Sequence, residues 1–495
     1  MATNTEFANL SKPSLDDTPQ LTIPSIASNM DIIDNYLEIH SNDIDELNTK
    51  VDTLSDSKVS GAKGDGTTDD TVALQAWLDT PGKNKILKNG VYRITSGLLS
   101  TEEGRTIRTE GATILADGEE IVALTVTGDN NKVSVEIDGN NKAAVGVLVL
   151  DASLCEVTNC RIENLYPKTR SARGIDIYTS GGIFVSNNIV RNVNSITNTT
   201  IGDDKGSSKG IVVHAESKAT QPNTVIDNYI DTIIGEEGDG IHFLFYNNVS
   251  YPFLDSMGTI RGNTIKNCNR RAIKVQANDC EVSENKHINT LPLSELPNAT
   301  ASIGVINSSN VVVKDNTLDA KYFTGIKVDG YDVERSSGIR VTGNTIKGGL
   351  TPGTETRNET VGIYYNYIVD SVISNNTITD GIKAITGGRG ENNVIQGNTI
   401  YGGTSSTGHL GINITSTNTL TVIKDNTFLS GTREFMISNL APKCIIENNH
   451  CRTGNGIQTS ASSTGSYYKN NTCATGKTII SGTTTGQHLD GNMAV

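Results

Sequence analysis

Apolar and polar residues alternate in short runs along most of the chain, as in Gly174-Ile-Asp-Ile-Tyr178, Gly362-Ile-Tyr-Tyr-Asn366 and Gly411-Ile-Asn-Ile-Thr415. A period of two places successive side chains on opposite faces of a strand. The runs are punctuated by a recurring turn. Ile373-Ser-Asn-Asn-Thr-Ile378 and Val394-Ile-Gln-Gly-Asn-Thr-Ile400 share an apolar, polar, Gly/Asn/Asp, Asn, polar, apolar phrase. Its asparagine recurs at Asn159, Asn188, Asn228, Asn263, Asn285, Asn316, Asn344, Asn376, Asn398, Asn426, Asn449, Asn471 and Asn492, and the last steps are 28, 23, 22 and 21 residues. A shortest period near 22 is too short for paired-helix repeats and fits one coil of three short strands. The pattern predicts an all-β fold, a right-handed parallel β-helix, over residues 106–495.

Asparagine suits such a corner because it tolerates the left-handed backbone region and its amide can bond its counterparts in neighbouring coils. Composition agrees: 19% charged and 5% aromatic residues with 49 glycines fit a narrow stacked core under a polar, mostly uncharged skin. The net charge of −14 argues against a general affinity for nucleic acid or an anionic membrane. No apolar run reaches the length of a membrane span, and residues 1–17 lack the basic start and apolar stretch of a secretory signal. The seven cysteines (Cys155, Cys160, Cys268, Cys280, Cys444, Cys451 and Cys473) are odd in number and follow no Cys-x-x-Cys spacing. They are expected to be buried small apolar residues in a chain that folds in a reducing cytosol. Nothing in the sequence indicates a cofactor or a divalent cation.

A different period occupies the N-terminal region. Ile26, Met30, Ile33, Leu37, His40, Ile44, Leu47, Val51 and Leu54 are spaced alternately four and three residues apart, the two seam positions of a heptad. Branched residues at both positions favour three strands, and His40, the polar seam residue, would set register. Residues 1–58 are therefore expected to be an attachment segment with a trimeric coiled coil. From Val59 to Asp79 a glycine-rich turn leads into a short helix over Asp70–Leu78, capped by Thr68 or Asp69. Such a helix covers the open first coil, whose sheet edge would otherwise be exposed. No Gly-x-x-x-x-Gly-Lys is present to read these glycines as a phosphate loop. Residues 59–105 are assigned to this cap and the first strands.

The stretch Gly61-Ala-Lys-Gly-Asp-Gly-Thr-Thr-Asp-Asp-Thr-Val-Ala-Leu-Gln-Ala-Trp77 resembles the opening of the pectate-lyase-like β-helix domains of phage tailspike and appendage proteins. With the heptad before it and the repeat after it, the resemblance spans nearly the whole chain. It implies a homotrimeric virion protein, joined through residues 1–58 to tail or neck proteins and assembled in the host cytoplasm. That protein would bind, and often cleave, a host surface polysaccharide or wall teichoic acid outside the cell. Residues 486–495 still read as a coil, so either the trimer covers that last edge or the chain is processed there.

Alternation also lays out the outward face. If Ile175, Ile211, Ile241, Ile273, Ile326 and Ile363 point inward, Asp176, Val212, His242, Lys274, Lys327 and Tyr364 form one outward column. Tyr178, His214, Leu244, Gln276, Asp329 and Asn366 form a second, and Ser180, Glu216, Tyr246 and Asn278 begin a third. The period stretches to 40 and 35 residues between Asn188, Asn228 and Asn263, with the surplus in 196–210 and 235–258. Long loops over a regular scaffold usually carry function. Glu216 and Asp239, with Asp176 third, are the carboxylates expected to act as general acid and base across a glycosidic bond. His214 and His242 would move protons. Lys274 and Arg271 would hold an acidic sugar or a phosphate beside Gln276. Tyr178, Tyr246 and Tyr251 offer flat faces to sugar rings. Arg173-Gly-Ile-Asp-Ile177, Gly238-Asp-Gly-Ile-His242 and Arg271-Ala-Ile-Lys274 are also faintly similar to segments of polygalacturonases, but Lys209-Gly-Ile-Val-Val-His214 lacks that family's paired aspartates and Ala272 replaces its arginine. Hydrolysis of a surface glycopolymer is the leading expectation, with lyase and phosphodiesterase variants; a lectin-like, non-enzymatic fibre is the alternative.

Overall fold

The structure, a computed structural model, describes residues 3–4, 11–12 and 61–494, apart from 196–205, 248–252, 297–298, 322–323, 349–360, 403–409 and 431–434. The heptad segment and its trimer, like Asp203, Asp204 and Tyr251 of the long loops, lie outside the described residues.

Strand alternation and the corner phrase produce one repeated coil. Ala172–Tyr178 (β1), Gly181–Ser186 and Ile189–Asn194 make a coil, after which Ser207–Ala215 (β2) lies in parallel register on β1. Glu237–Phe245 (β3), Arg271–Gln276 (β4) and Ala301–Ile306 (β5) continue the same face. Among the described residues this long face is a sheet of 15 strands. The other two faces merge into a 31-stranded sheet because the long strand Thr106–Ala116 pairs with the first strand of both. The architecture is a parallel β-helix, consistent with the right-handed form that the repeat predicts.

The core is a column of isoleucines. Ile175, Ile211, Ile241, Ile273, Ile303, Ile326, Ile363, Ile385, Ile412, Ile437 and Ile457 stand in register on the inner side of the long sheet, all of them buried. Each contributes roughly 1.5–3 kcal/mol, so the column outweighs any single polar contact. The glycine before many of these isoleucines is a packing requirement: a Cβ on Gly210 would lie 2.5 Å from the Gly240 carbonyl oxygen and 2.8 Å from Ile230 Cγ2. The outward grid drawn from the sequence is in register but skips β5, which places Gly304 between Lys274 and Lys327.

The corner divides its labour between two residues. The ladder asparagine is not the left-handed one: the residue before it takes the positive φ, as in Asn187 (55°), Asp227 (56°), Glu284 (57°), Asn375 (54°) and Gly397 (63°). The asparagine that follows is buried, and its side-chain amide donates to the next rung's Oδ1 at 2.9–3.0 Å from Asn188 through to Asn492. Asn159 is therefore not a rung. It has φ 56°, and Cys160 holds the rung position, its backbone N–H donating to Asn188 Oδ1 at 2.8 Å.

The cap is a helix, α1, over Thr71–Asp79, one residue later than expected. Asp70 stands at its N-cap, but its carboxylate turns back to accept the backbone N–H groups of Lys63 and Gly64 at 2.7 and 3.0 Å. Leu74, Trp77 and Leu78 bury against the first coil. The orphan carbonyls at the C-terminal end of α1 are satisfied by two buried cations. Lys85 Nζ donates to the Trp77 and Thr80 carbonyls at 2.9 and 2.6 Å, and Arg105 Nη1 donates to that of Leu78 at 2.6 Å. Burial and the neighbouring Arg105 push Lys85 down to about 8. All seven cysteines are buried and unbridged, as the small-apolar reading expects. Among the described residues, no helix is long and apolar enough to cross a membrane.

Candidate functional site

The outward side chains of β1 to β4 form columns because the strands are in register. Asp176, Val212, His242 and Lys274 stand in one, and Tyr178, His214, Leu244 and Gln276 in the next. A further column precedes them: Arg173, Lys209, Asp239 and Arg271. The sequence reading missed it as a column, although the signal was present in the charged residue that opens each Gly-Ile or Ala-Ile pair. The stretched period of the third coil is mostly strand, since Glu237–Phe245 is β3.

Two clusters occupy this face. In the first, Asp176 accepts a hydrogen bond from Arg173 Nη1 at 2.7 Å and faces His214 Nε2 at 2.8 Å. Burial disfavours the Asp176 carboxylate, but His214 and Arg173 prevail and hold it below the usual range. With Nε2–H committed to Asp176, a neutral His214 keeps its lone pair on Nδ1. The Tyr178 ring tilts against the His214 ring with centroids 4.9 Å apart. Partial burial, then the nearby Glu216, raise the Tyr178 phenol, which hydrogen-bonds to Glu216. Tyr246 Oη donates to Glu216 Oε1 at 3.0 Å. A base with a carboxylate behind it thus sits beside a phenol that keeps its proton.

In the second cluster, Asp239 is fully buried and bound to Lys209 Nζ at 2.5 Å and Arg271 Nη1 at 3.3 Å. Burial alone would raise it, yet Lys209, Arg271 and Lys274 drive it far below the carboxylate range. Glu237 Oε1 meets Arg270 Nη1 at 2.6 Å, and its Oε2 meets Lys209 and Lys274 Nζ at 3.3 and 3.4 Å. Burial, reinforced by Lys209 and Arg271, pushes Lys274 down to about 8 against the pull of Asp239 and Glu237. His242 Nε2 lies 3.0 Å from Gln276 Oε1. Because that oxygen is an acceptor, Nε2 carries the hydrogen; burial and then Lys274 push the ring well below its ordinary range, so it is neutral. Gly304 makes room here, since a Cβ on it would lie 2.9 Å from Arg271 Cδ.

The structure corrects the expected acid–base pair. Glu216 lies beside Tyr246 past the ends of β2 and β3, whereas Asp239 pairs with Lys209 near their starts. Seven positions separate Lys209 from Glu216, roughly 23 Å at about 3.3 Å per residue. Paired carboxylates across a glycosidic bond stand only about 5–9.5 Å apart. Asp239, moreover, is an ion-pair anchor that holds no exchangeable proton near neutral pH. The expected groups that do meet are Asp176, His214, Tyr178, Glu216 and Tyr246 in one cluster, and Asp239, Arg271, Lys274, His242 and Gln276 in the other. Arg271 and Lys274, expected to hold an acidic sugar or a phosphate, are nearly covered.

Residues 237–410, less than half of the chain, match the family described as periplasmic copper-binding protein (NosD). Among the described residues, no three or more His, Cys, Asp or Glu side chains come together as a metal ion would need. The described residues of 237–410 thus supply no donor set that fits a copper ion. A search of curated proteins finds no match. Among solved structures, the chain is similar to the catalytic unit of an α-1,3-glucanase from Streptomyces thermodiastaticus, at 15% identity and TM-score 0.46, covering 78% of this chain and 65% of that one. It is also similar to PfbA, a surface adhesin of Streptococcus pneumoniae, at 15% identity and TM-score 0.44, covering 78% of this chain and 93% of that one. A third similarity is to tailspike protein 3 of bacteriophage CBA120, at 11% identity and TM-score 0.37, covering 90% of this chain and 62% of that one. The chain thus spans less than two thirds of the glucanase unit and of the tailspike.

Proposed function

We infer that this chain binds a cell-surface glycopolymer along the outward face of β1 to β4 and cleaves it at the first cluster. The observation that carries the reading is the Asp176–His214 pair with Tyr178 against it, beside a nest of four cations that begins with Lys209 on the same strand as His214 and ends on β4. In elimination His214 Nδ1 takes the sugar C–H proton as a double bond forms and the C–O bond to the leaving oxygen breaks. In phosphodiester cleavage it takes the proton of the attacking hydroxyl as the new P–O bond forms and the P–O bond to the leaving oxygen breaks. In both, Asp176 stabilises the imidazolium, and the Tyr178 phenol gives its proton to the leaving oxygen. This division of roles serves elimination or phosphodiester cleavage better than hydrolysis by Glu216 and Asp239, which stand at opposite ends of the strands, or by Asp176, whose carboxylate is committed to Arg173 and His214. The chain acts as the homotrimeric appendage of a phage tail, assembled through the coiled coil of residues 1–58, with host capsule or wall teichoic acid as substrate. Support for this part of the reading comes from the heptad and from the 61–77 opening.

A non-enzymatic receptor-binding fibre is the second reading. One observation favours it: Asp239 already holds Lys209 and Arg271 in place, as in a rigid binding surface. Incubating the full chain with host capsule and with teichoic acid, and assaying reducing ends, unsaturated product and released phosphate monoester, separates the readings. The enzyme reading expects one product and a loss of about 10²–10⁴-fold in His214→Gln with polymer binding retained. Binding without any product leaves the fibre.

A further inference from the structure

The second cluster does not balance its charges evenly. Asp239 is used by Lys209 and Arg271. Lys274 and Arg270 share Glu237 with Lys209; it is the one carboxylate within ion-pairing distance of either among the described residues, although Asp239 also attracts Lys274 from farther off. The contacts are also unequal in quality. Both ammonium contacts of Glu237 Oε2, at 3.3 and 3.4 Å, are longer than the roughly 2.7–2.9 Å of a well-formed charged hydrogen bond. Exposure is unequal in the same sense: the Glu237 side chain is 35% exposed, whereas those of Lys209 and Lys274 are 6% and 8% exposed. The two lysines are thus held in the wall of the sheet, and the carboxylate reaches them from the solvent side, where Arg270, 30% exposed, meets it at 2.6 Å. Glu237 opens β3, so its side chain can swing outward without disturbing the ladder.

We propose that Glu237 is the displaceable occupant of an anion subsite whose fixed members are Lys274 and Arg270, with Lys209 behind them, and that the ligand replacing it carries a carboxylate or a phosphate. The exchange costs little because one desolvated anion replaces another while Glu237 regains water. The two buried lysines are in place beforehand, so ordering them adds no cost at binding. A neutral sugar has no charge to offer in return, which makes the subsite selective for acidic polymers. That the ligand is a polymer rests on the glycopolymer reading above; that the subsite takes an anion does not.

The two parts are tested separately. Acetate and inorganic phosphate are added at constant ionic strength to the full chain and to Glu237→Ala, with melting followed by fluorescence. The subsite requires either anion to raise the Glu237→Ala transition by about 2–4 °C and to move the native chain less. An equal response in both overturns it. Binding of polygalacturonate, of poly(glycerol phosphate) and of a neutral dextran is then measured for the native chain, Glu237→Gln and Glu236→Gln, the last a control for charge nearby. One of the anionic polymers is expected to bind, tightening roughly tenfold in Glu237→Gln and within twofold of native in Glu236→Gln. Unchanged or weaker binding in Glu237→Gln overturns the displacement. Rescue by the small anions without binding of any polymer keeps the subsite and removes the glycopolymer reading instead.

Discussion

Two aspartates on one face differ in kind because of what surrounds them. Asp176 faces an imidazole that can accept a second proton, so Asp176→Asn should lower turnover about 10²-fold or more while leaving KM for polymer little changed. Asp239 faces only cations. Asp239→Asn should therefore act on folding, by about 3–5 kcal/mol in urea unfolding, because Lys209 and Arg271 stay buried without their counter-charge. A histidine away from the site gives the clearest pH dependence. His287 is buried with Nδ1 2.8 Å from Ser302 Oγ, and burial pushes it down to about 4. Between that value and the ordinary one near 6.5, the unfolded chain binds the extra proton, so stability falls as pH drops through this window and levels off below about 4. The loss should reach about 3 kcal/mol, and His287→Gln should flatten that limb of the stability curve.

At the scale of the element, the coil depends on the asparagine ladder more than on strand propensity. Asn376 Oδ1 accepts from both the backbone and the side chain of Asn344, while its amide donates to the Val341 carbonyl at 3.0 Å and to Asn398 Oδ1 at 2.9 Å. Asn376→Ala should cost about 2–4 kcal/mol, because several buried polar groups lose their partners at once. The same change at Asn492, the last and partly exposed rung, should cost about 1 kcal/mol or less by the same measurement. The left-handed position makes the opposite prediction. Glu284 holds φ 57° with a side chain poorly suited to it, so Glu284→Gly should stabilise the chain by about 1 kcal/mol. The rung was legible from the spacing of its asparagines. The corner's inner division was not, since Gly, Asn and Asp before a constant Asn read equally well as part of one turn, and only φ separates them.

For the whole molecule, the coil is a ruler and the site is where ionisable residues gather on it. The proposed trimer predicts a mass in solution three times the 52.8 kDa of one chain. Removal of residues 1–58 should give a smaller assembly in light scattering, and an unchanged mass after that removal would place the trimer contact in the coils instead. The clustering of charge at 173–276 was visible before any coordinates, because period two and the Gly-Ile starts already put Asp176, His242 and Lys274 in one column. Which of those groups touch was not visible. Lys209, Arg270 and Glu237 lie far apart in the sequence, and only the packing of β2, β3 and β4 brings them within ion-pairing distance.

Local pattern was sufficient for everything that depends on one coil repeated: strand alternation, the 22-residue step, the inward isoleucines and the asparagine rungs. These follow from sterics and hydrophobic burial, which act at fixed sequence spacing. The tertiary structure alone decided what lies between coils and along strands. It inserted Gly304 under Arg271 and moved Cys160 into the first rung position. It also set Glu216 and Asp239 at opposite ends of the same pair of strands. Such distances depend on register and strand length summed over residues far apart in the chain, and on a single loop's extra residues, so two carboxylates that alternation assigns to one face can still stand too far apart to share a bond.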